Sequence, residues 1–165
     1  MTTQVLDGRV VIYGVPHWYE GRQDVFEPKC FAGSLDMVWF GIEHRYQEKP
    51  LGCQEDGSLE LHDDDLALSF RLKLGPGALE RLDGRDEASA AYSVLDSEIR
   101  NGVRHIKSAI LVEISACHVA SLRATHCIVR DANKVGPLAL DAKRGFASDA
   151  AATKFLAALR NLDSG

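Results

Sequence analysis

The chain has 165 residues, 45% hydrophobic and 26% charged, with 19 Lys+Arg against 24 Asp+Glu and a net charge of −5. That is one ordinary globular domain, long enough to bury a core without disulfides or metals. The acidic balance argues against a broad nucleic-acid-binding surface, and no apolar run approaches the roughly 18 residues needed to span a bilayer.

In chain order, Arg9 to Val15 is a β-branched and aromatic run closed by Gly14 and Pro16. A polar loop follows through Gly21-Arg22-Gln23, then Val25-Phe26-Glu27-Pro28 and a helical turn at Cys30 to Leu35. Met37 to Ile42 reads as a buried strand that delivers His44 at its end. Ser58 to His62 and Leu66 to Leu74 alternate apolar and polar residues, the period of a half-buried strand. Asp63-Asp64-Asp65 between them is expected to turn a hairpin, without the glycine and spacing of a calcium loop. After Gly75-Pro76-Gly77, the composition predicts a helix over Ala78 to Ala90. Tyr92 to Ile99 returns to strand, Asn101-Gly102 is a hairpin turn, and Val103 to His105 resumes. Ile110 to Ala116 is the most apolar strand, and Ile128-Val129 closes the domain at about residue 131. Residues 132–147 read as a linker, and 148–165 as a C-terminal helix with Phe155, Leu156, Leu159 and Leu162 on one face. That face needs cover, from the domain or by self-association into a homo-oligomer. The fold class is mainly β with flanking helices.

The N-terminus lacks a basic, apolar, small-residue progression, so no secretion signal is expected. Cys30, Cys53, Cys117 and Cys127 contain no CxxC pair and are expected as thiols. Cys117-His118 and His126-Cys127 carry zinc-ligand types, but strand alternation sends neighbours to opposite faces, so no metal is expected there. No phosphate-cradling glycine motif is present.

Three dispersed residues offer a base, a nucleophile and an acid: His44 in GIEHRYQEKPLG, Ser93 in AAYSVLD and Glu113 in SAILVEISACHVA. A serine hydroxyl barely ionises at neutral pH and needs an imidazole to take its proton, which in turn needs a group to hold its tautomer. His44 by position is equally a surface histidine, and serines are common in β-rich domains. Glu113 interrupts an apolar strand, where a buried carboxylate is costly unless paired. Either that face is exposed or Glu113 has a histidine or arginine partner. His105 and His118 compete as base or third member, although alternation puts His118 on the face opposite Glu113.

The ordered series resembles the tailed-phage prohead (capsid-maturation) serine proteases, a family related to the herpesvirus assemblins. The likeness spans roughly residues 9–131. It is carried by Val11-Ile12-Tyr13-Gly14, VFEPKCFAGSL at 25–35, GIEHRYQEKPLG with Gly52 eight residues past the histidine, the hairpin at 57–74, and Ser93 preceding RHIKSAILVEISACHVA. The resemblance implies an assemblin-like antiparallel β-barrel and a serine endopeptidase using Ser93 as nucleophile, His44 as base and Glu113 as third member. It implies no metal or organic cofactor, capsid and scaffold proteins as substrates, self-cleavage, and a setting in the assembling procapsid of the host cytoplasm. Loose analogy with assemblins makes Arg123 an oxyanion contributor. The chain departs from the family at Leu95, where a glycine usually stands two residues past the serine, at Val119-Ala120, and at Lys29-Cys30. The competing reading is a catalytically silent family barrel serving as an assembly component. A small-molecule-binding barrel ranks below both.

Overall fold

The computed structural model describes residues 3–122 and 125–139. Ten strands make two sheets. The first has the order β10-β1-β7-β6, built from β1 (Gln4–Ile12), β6 (Leu59–Asp63), β7 (Ala67–Lys73) and β10 (His126–Asp131), all antiparallel. The second is centred on a long hairpin of β8 (Glu87–Arg100) and β9 (Val103–Cys117). The Asn101-Gly102 turn that joins them has positive φ at both residues, 52° and 81°, as a two-residue hairpin of this hand requires.

The other edge of β9 takes two short strands in parallel register: β3 (Arg22–Phe26) on its first part and β4 (Trp39–Ile42) on its last. β2 (Pro16–Tyr19) pairs with β3, and β5 (Gly52–Cys53) with β4. The second sheet is therefore mixed, where a purely antiparallel barrel was expected, and among the described residues neither sheet closes on itself. The protein is mainly β.

The core lies between the sheets. Alternation along β7 sends Leu68, Phe70 and Leu72, all fully buried, against the second sheet, and Phe70 meets Phe40 of β4 with ring centroids 4.9 Å apart. Each such side chain contributes roughly 1.5–3 kcal/mol by leaving water. The opposite face of the first sheet is also covered: Asp7 and Arg71 form a buried bidentate pair at 2.7 and 2.8 Å, and Arg71 Nη1 donates to the Gly136 carbonyl at 2.5 Å. Beyond β10 the chain forms a 3₁₀ turn (Ala132–Lys134) and buries Leu138, so the described part of the expected linker packs on the domain. The expected helix at 148–165 lies outside the described residues.

One expected element changes type in a way that matters. The helix predicted over 78–90 ends after α1 (Ala78–Leu82), where Asp83 and Gly84 take left-handed conformations, φ 46° and 73°. From Glu87 the chain is already strand. Alanine favours helix intrinsically, but pairing of residues 87–91 with 113–117 buries Ala88 and Ala90 and decides their state. Likewise 16–26, expected as loop and short run, forms the β2–β3 hairpin around Glu20 and Gly21.

Candidate active site

Two neighbouring rows across the second sheet build the site. In one, Ser89 of β8 stands opposite Ser115 of β9, and Ser115 opposite Gly41 of β4; in the next, Ala91, Glu113 and Trp39 align. Just past β4 the chain reverses in a tight turn, with the Arg45 N–H donating to the Ile42 carbonyl at 3.0 Å. Both central residues, Glu43 and His44, have positive φ, 49° and 53°. A left-handed conformation in two successive non-glycine residues is unfavourable in isolation, so surrounding contacts must hold it.

Those contacts are visible. The Glu43 carboxylate accepts from the His118 N–H at 3.0 Å and from Arg85 Nε at 2.9 Å. These bonds, the His118 N–H foremost, hold the Glu43 carboxyl below its usual range despite some desolvation. The His44 N–H donates to Ser115 Oγ at 3.1 Å, and Ser115 Oγ donates to Glu113 Oε1 at 2.5 Å. One serine thus ties the histidine's backbone to the carboxylate.

The result faces His44 with a hydroxyl on one side and a carboxylate on the other. Nε2 lies 2.9 Å from Ser89 Oγ, and Nδ1 lies 3.5 Å from Glu113 Oε2. Glu113 is 3% exposed and Ser89 2%, while the imidazole stays partly open to solvent. With the proton on Nδ1, facing the carboxylate, Nε2 is an acceptor and the Ser89 hydroxyl donates to it. The Nδ1 separation exceeds an ordinary hydrogen bond, as is common before substrate tightens a site.

The approach of Glu113 depends on Gly41. A Cβ at that position would sit 2.3 Å from Glu113 Oε1 and 3.1 Å from Ser115 Oγ. The carboxylate occupies the space a side chain would fill.

A cleft of about 490 Å³ opens over the hydroxyl and runs along β8. It is bounded by His44 and Tyr46 at one end and by Arg22, Tyr92 and Arg104 at the other. Tyr46 tilts against the His44 ring at 6.4 Å between centroids, and burial, then the Glu113 charge, raises its phenol's pKa. Among the described residues the outer edge of β8 in this stretch pairs with no strand.

Of the residues expected from sequence, the structure brings His44 and Glu113 together. It does not bring Ser93 to them. Ser93 stands opposite Ile110 and is exposed, four residues further along β8, about 13 Å at a strand's rise. A bulge at Ala91/Tyr92 shifts the strand register between Ser89 and Ser93. Ser89 is the residue that sequence reasoning missed. Its signal was a serine among small residues, Ala88-Ser89-Ala90-Ala91, set aside as helix. Arg123 lies outside the described residues, although its neighbours Ser121 and Leu122 line the cleft. His105 is engaged elsewhere, its Nδ1 3.0 Å from Glu27, and His118 points to the surface. Cys30, Cys117 and Cys127 are buried thiols whose pKa values burial pushes up to about 12. No group of three metal-ligating side chains and no helix long and apolar enough to cross a membrane occurs among the described residues.

A hydroxyl, imidazole and carboxylate in line, on a β-sheet beside an open strand edge, have the arrangement used by serine hydrolases. Residues 1–136 match the family of caudovirus prohead serine proteases, and the chain belongs to that family. No curated protein and no solved structure matches it.

Proposed function

We propose that the protein is a serine endopeptidase of prohead maturation, with Ser89 as nucleophile, His44 as general base and acid, and Glu113 as the group that orients the imidazole. The observation that carries this reading is the 2.9 Å contact between Ser89 Oγ and His44 Nε2, with the Glu113 carboxylate behind Nδ1.

His44 takes the hydroxyl proton as Ser89 Oγ attacks a peptide carbonyl, and returns it to the leaving amine when the C–N bond breaks. Water then repeats the sequence on the acyl-enzyme. Glu113 steadies the imidazolium formed midway, and Ser115 and Gly41 keep the carboxylate in place. An extended substrate lies along the open edge of β8, adding to the sheet as a strand. Family membership supports capsid and scaffold proteins as substrates, within the assembling prohead in the host cytoplasm, with trimming of the chain itself among the cuts.

Intact-mass measurement after treatment with a fluorophosphonate, which phosphonylates activated serines, tests the assignment. Wild type and Ser93→Ala gain one adduct, whereas Ser89→Ala and His44→Ala gain none. Co-expressed capsid and scaffold proteins are shortened only in the variants that label. A wild-type protein that neither labels nor shortens its partners would support the silent assembly component instead. Labelling lost in Ser93→Ala and kept in Ser89→Ala would return the nucleophile to Ser93.

A further inference from the structure

The cleft does not end at the hydroxyl. It continues along β8 past Ala91 to Tyr92 and Val94, and its far wall carries Tyr19, Arg22 and Arg104. Arg104 forks onto Asp24, with Nε to Oδ1 at 2.9 Å and Nη2 to Oδ2 at 2.5 Å, and Arg22 Nε lies 3.5 Å from the same Oδ1. The Asp24 side chain is 1% exposed and does not line the cleft, whereas that of Arg22 is 48% exposed. Two guanidinium groups therefore share one buried carboxylate, and the surplus positive charge faces the cleft.

The buried fork fixes Arg104, and a tight hairpin fixes Arg22. Tyr19 and Arg22 pair across a turn whose central residues, Glu20 and Gly21, both have positive φ. Burial, then the neighbouring Asp24 charge, pushes the Tyr92 phenol up to about 12, so it remains an O–H donor at neutral pH. No Asp or Glu is among the residues that line the cleft. A local positive site stands out in a chain of net charge −5.

We propose that this end of the cleft is a specificity subsite in which Arg22 and Arg104 recognise a Glu or Asp side chain of the substrate, three to five residues from the scissile bond. The spacing follows from the strand: Ser89 to Val94 spans about 16 Å, and an extended substrate beside it advances at the same rise. The carboxylate meets the exposed Arg22 guanidinium and the Arg104 Nη1, which the fork to Asp24 leaves over. Such charge-assisted bonds are stronger than neutral ones. The inference names a substrate feature for the endopeptidase proposed above and rests on that reading for its biological meaning, but the binding it predicts needs no catalysis.

The test uses Ser89→Ala protein and fluorescein-labelled twelve-residue peptides of alanine, serine and leucine. One peptide has glutamate four residues to either side of the central bond, a second has glutamine there, and a third lysine. Fluorescence anisotropy is expected to show the glutamate peptide binding about tenfold or more tightly than the glutamine peptide, as one charge-assisted bond provides. The preference should shrink in high salt, since the site is partly open. Adding Arg22→Gln should remove most of it, and Arg22→Lys should retain part, with unchanged thermal melting confirming the fold. Equal affinity for the glutamate and glutamine peptides, no binding of the glutamate peptide, or an undiminished preference in the Arg22→Gln protein would overturn the proposal. A glutamate preference in protein whose wild type never labels with fluorophosphonate would leave the subsite standing and remove the peptidase.

Discussion

Replacing Gly41 by alanine tests the site through a residue that takes no part in the chemistry. The added methyl would fall 2.3 Å from Glu113 Oε1, where ordinary contact begins near 3.4 Å, so the carboxylate must retreat by about 1 Å. Its options are few. Oε1 is held by Ser115 Oγ, Oε2 faces His44 Nδ1, and the glutamate is almost completely buried. Retreat stretches the Nδ1 contact beyond its present 3.5 Å and loosens the Ser115 bond that also steadies the His44 backbone. Overpacking of this kind costs about 1–3 kcal/mol of stability. A misplacement of about 1 Å in a catalytic group costs on the order of 10²-fold in rate. We expect Gly41→Ala to fold, to lose about that much in its rate of fluorophosphonate labelling, and to melt a few degrees lower. In a Glu113→Ala background the methyl meets no carboxylate, so Gly41→Ala should then change neither quantity appreciably, a non-additivity expected of groups in direct contact. Full labelling by the Gly41→Ala single mutant, or the same losses in both backgrounds, would refute the reasoning.

Two further outcomes follow from the charges around the site. The Glu43 carboxyl is held below its unfolded value, so its contribution to stability is complete above that value, roughly 4.3, and is lost as pH falls through the lower folded value. Thermal melts should therefore show wild type more stable than Glu43→Gln at pH 7, with the gap closing below about pH 4; a gap that widens in acid would contradict the assignment. On the far side of the molecule, Arg71→Met strands the buried Asp7 carboxylate, with only Arg130 at 3.9 Å to compensate. Urea denaturation should register a loss of about 3 kcal/mol, and a loss under 1 kcal/mol would mean that solvent or Arg130 neutralises Asp7.

Much of the frame was legible locally. Period-two alternation marked 58–62 and 66–74, and Asn101-Gly102 announced the hairpin. Glu113 announced itself as a carboxylate in an apolar strand, and the partner it needed proved to be His44 together with Ser115. The missing glycine after the expected nucleophile was informative too. Leu95 two residues past Ser93 is bulky, whereas Ala91 two residues past Ser89 is small.

By itself the sequence determined the β-rich class, the base at the end of an apolar strand and the buried acid, because alternation, turn chemistry and the cost of a buried charge act within a few residues. Which serine meets the histidine was decided only by tertiary structure. Ala88 to Ala91 carries a helical preference worth tenths of a kcal/mol per residue, which pairing with β9 overrides. That pairing, the parallel seating of β4 on the other edge of β9 and the left-handed turn at Glu43-His44 jointly set Ser89 beneath the imidazole. All three rest on contacts between segments far apart in the chain, and a one-residue slip of strand register would turn the hydroxyl to the opposite face.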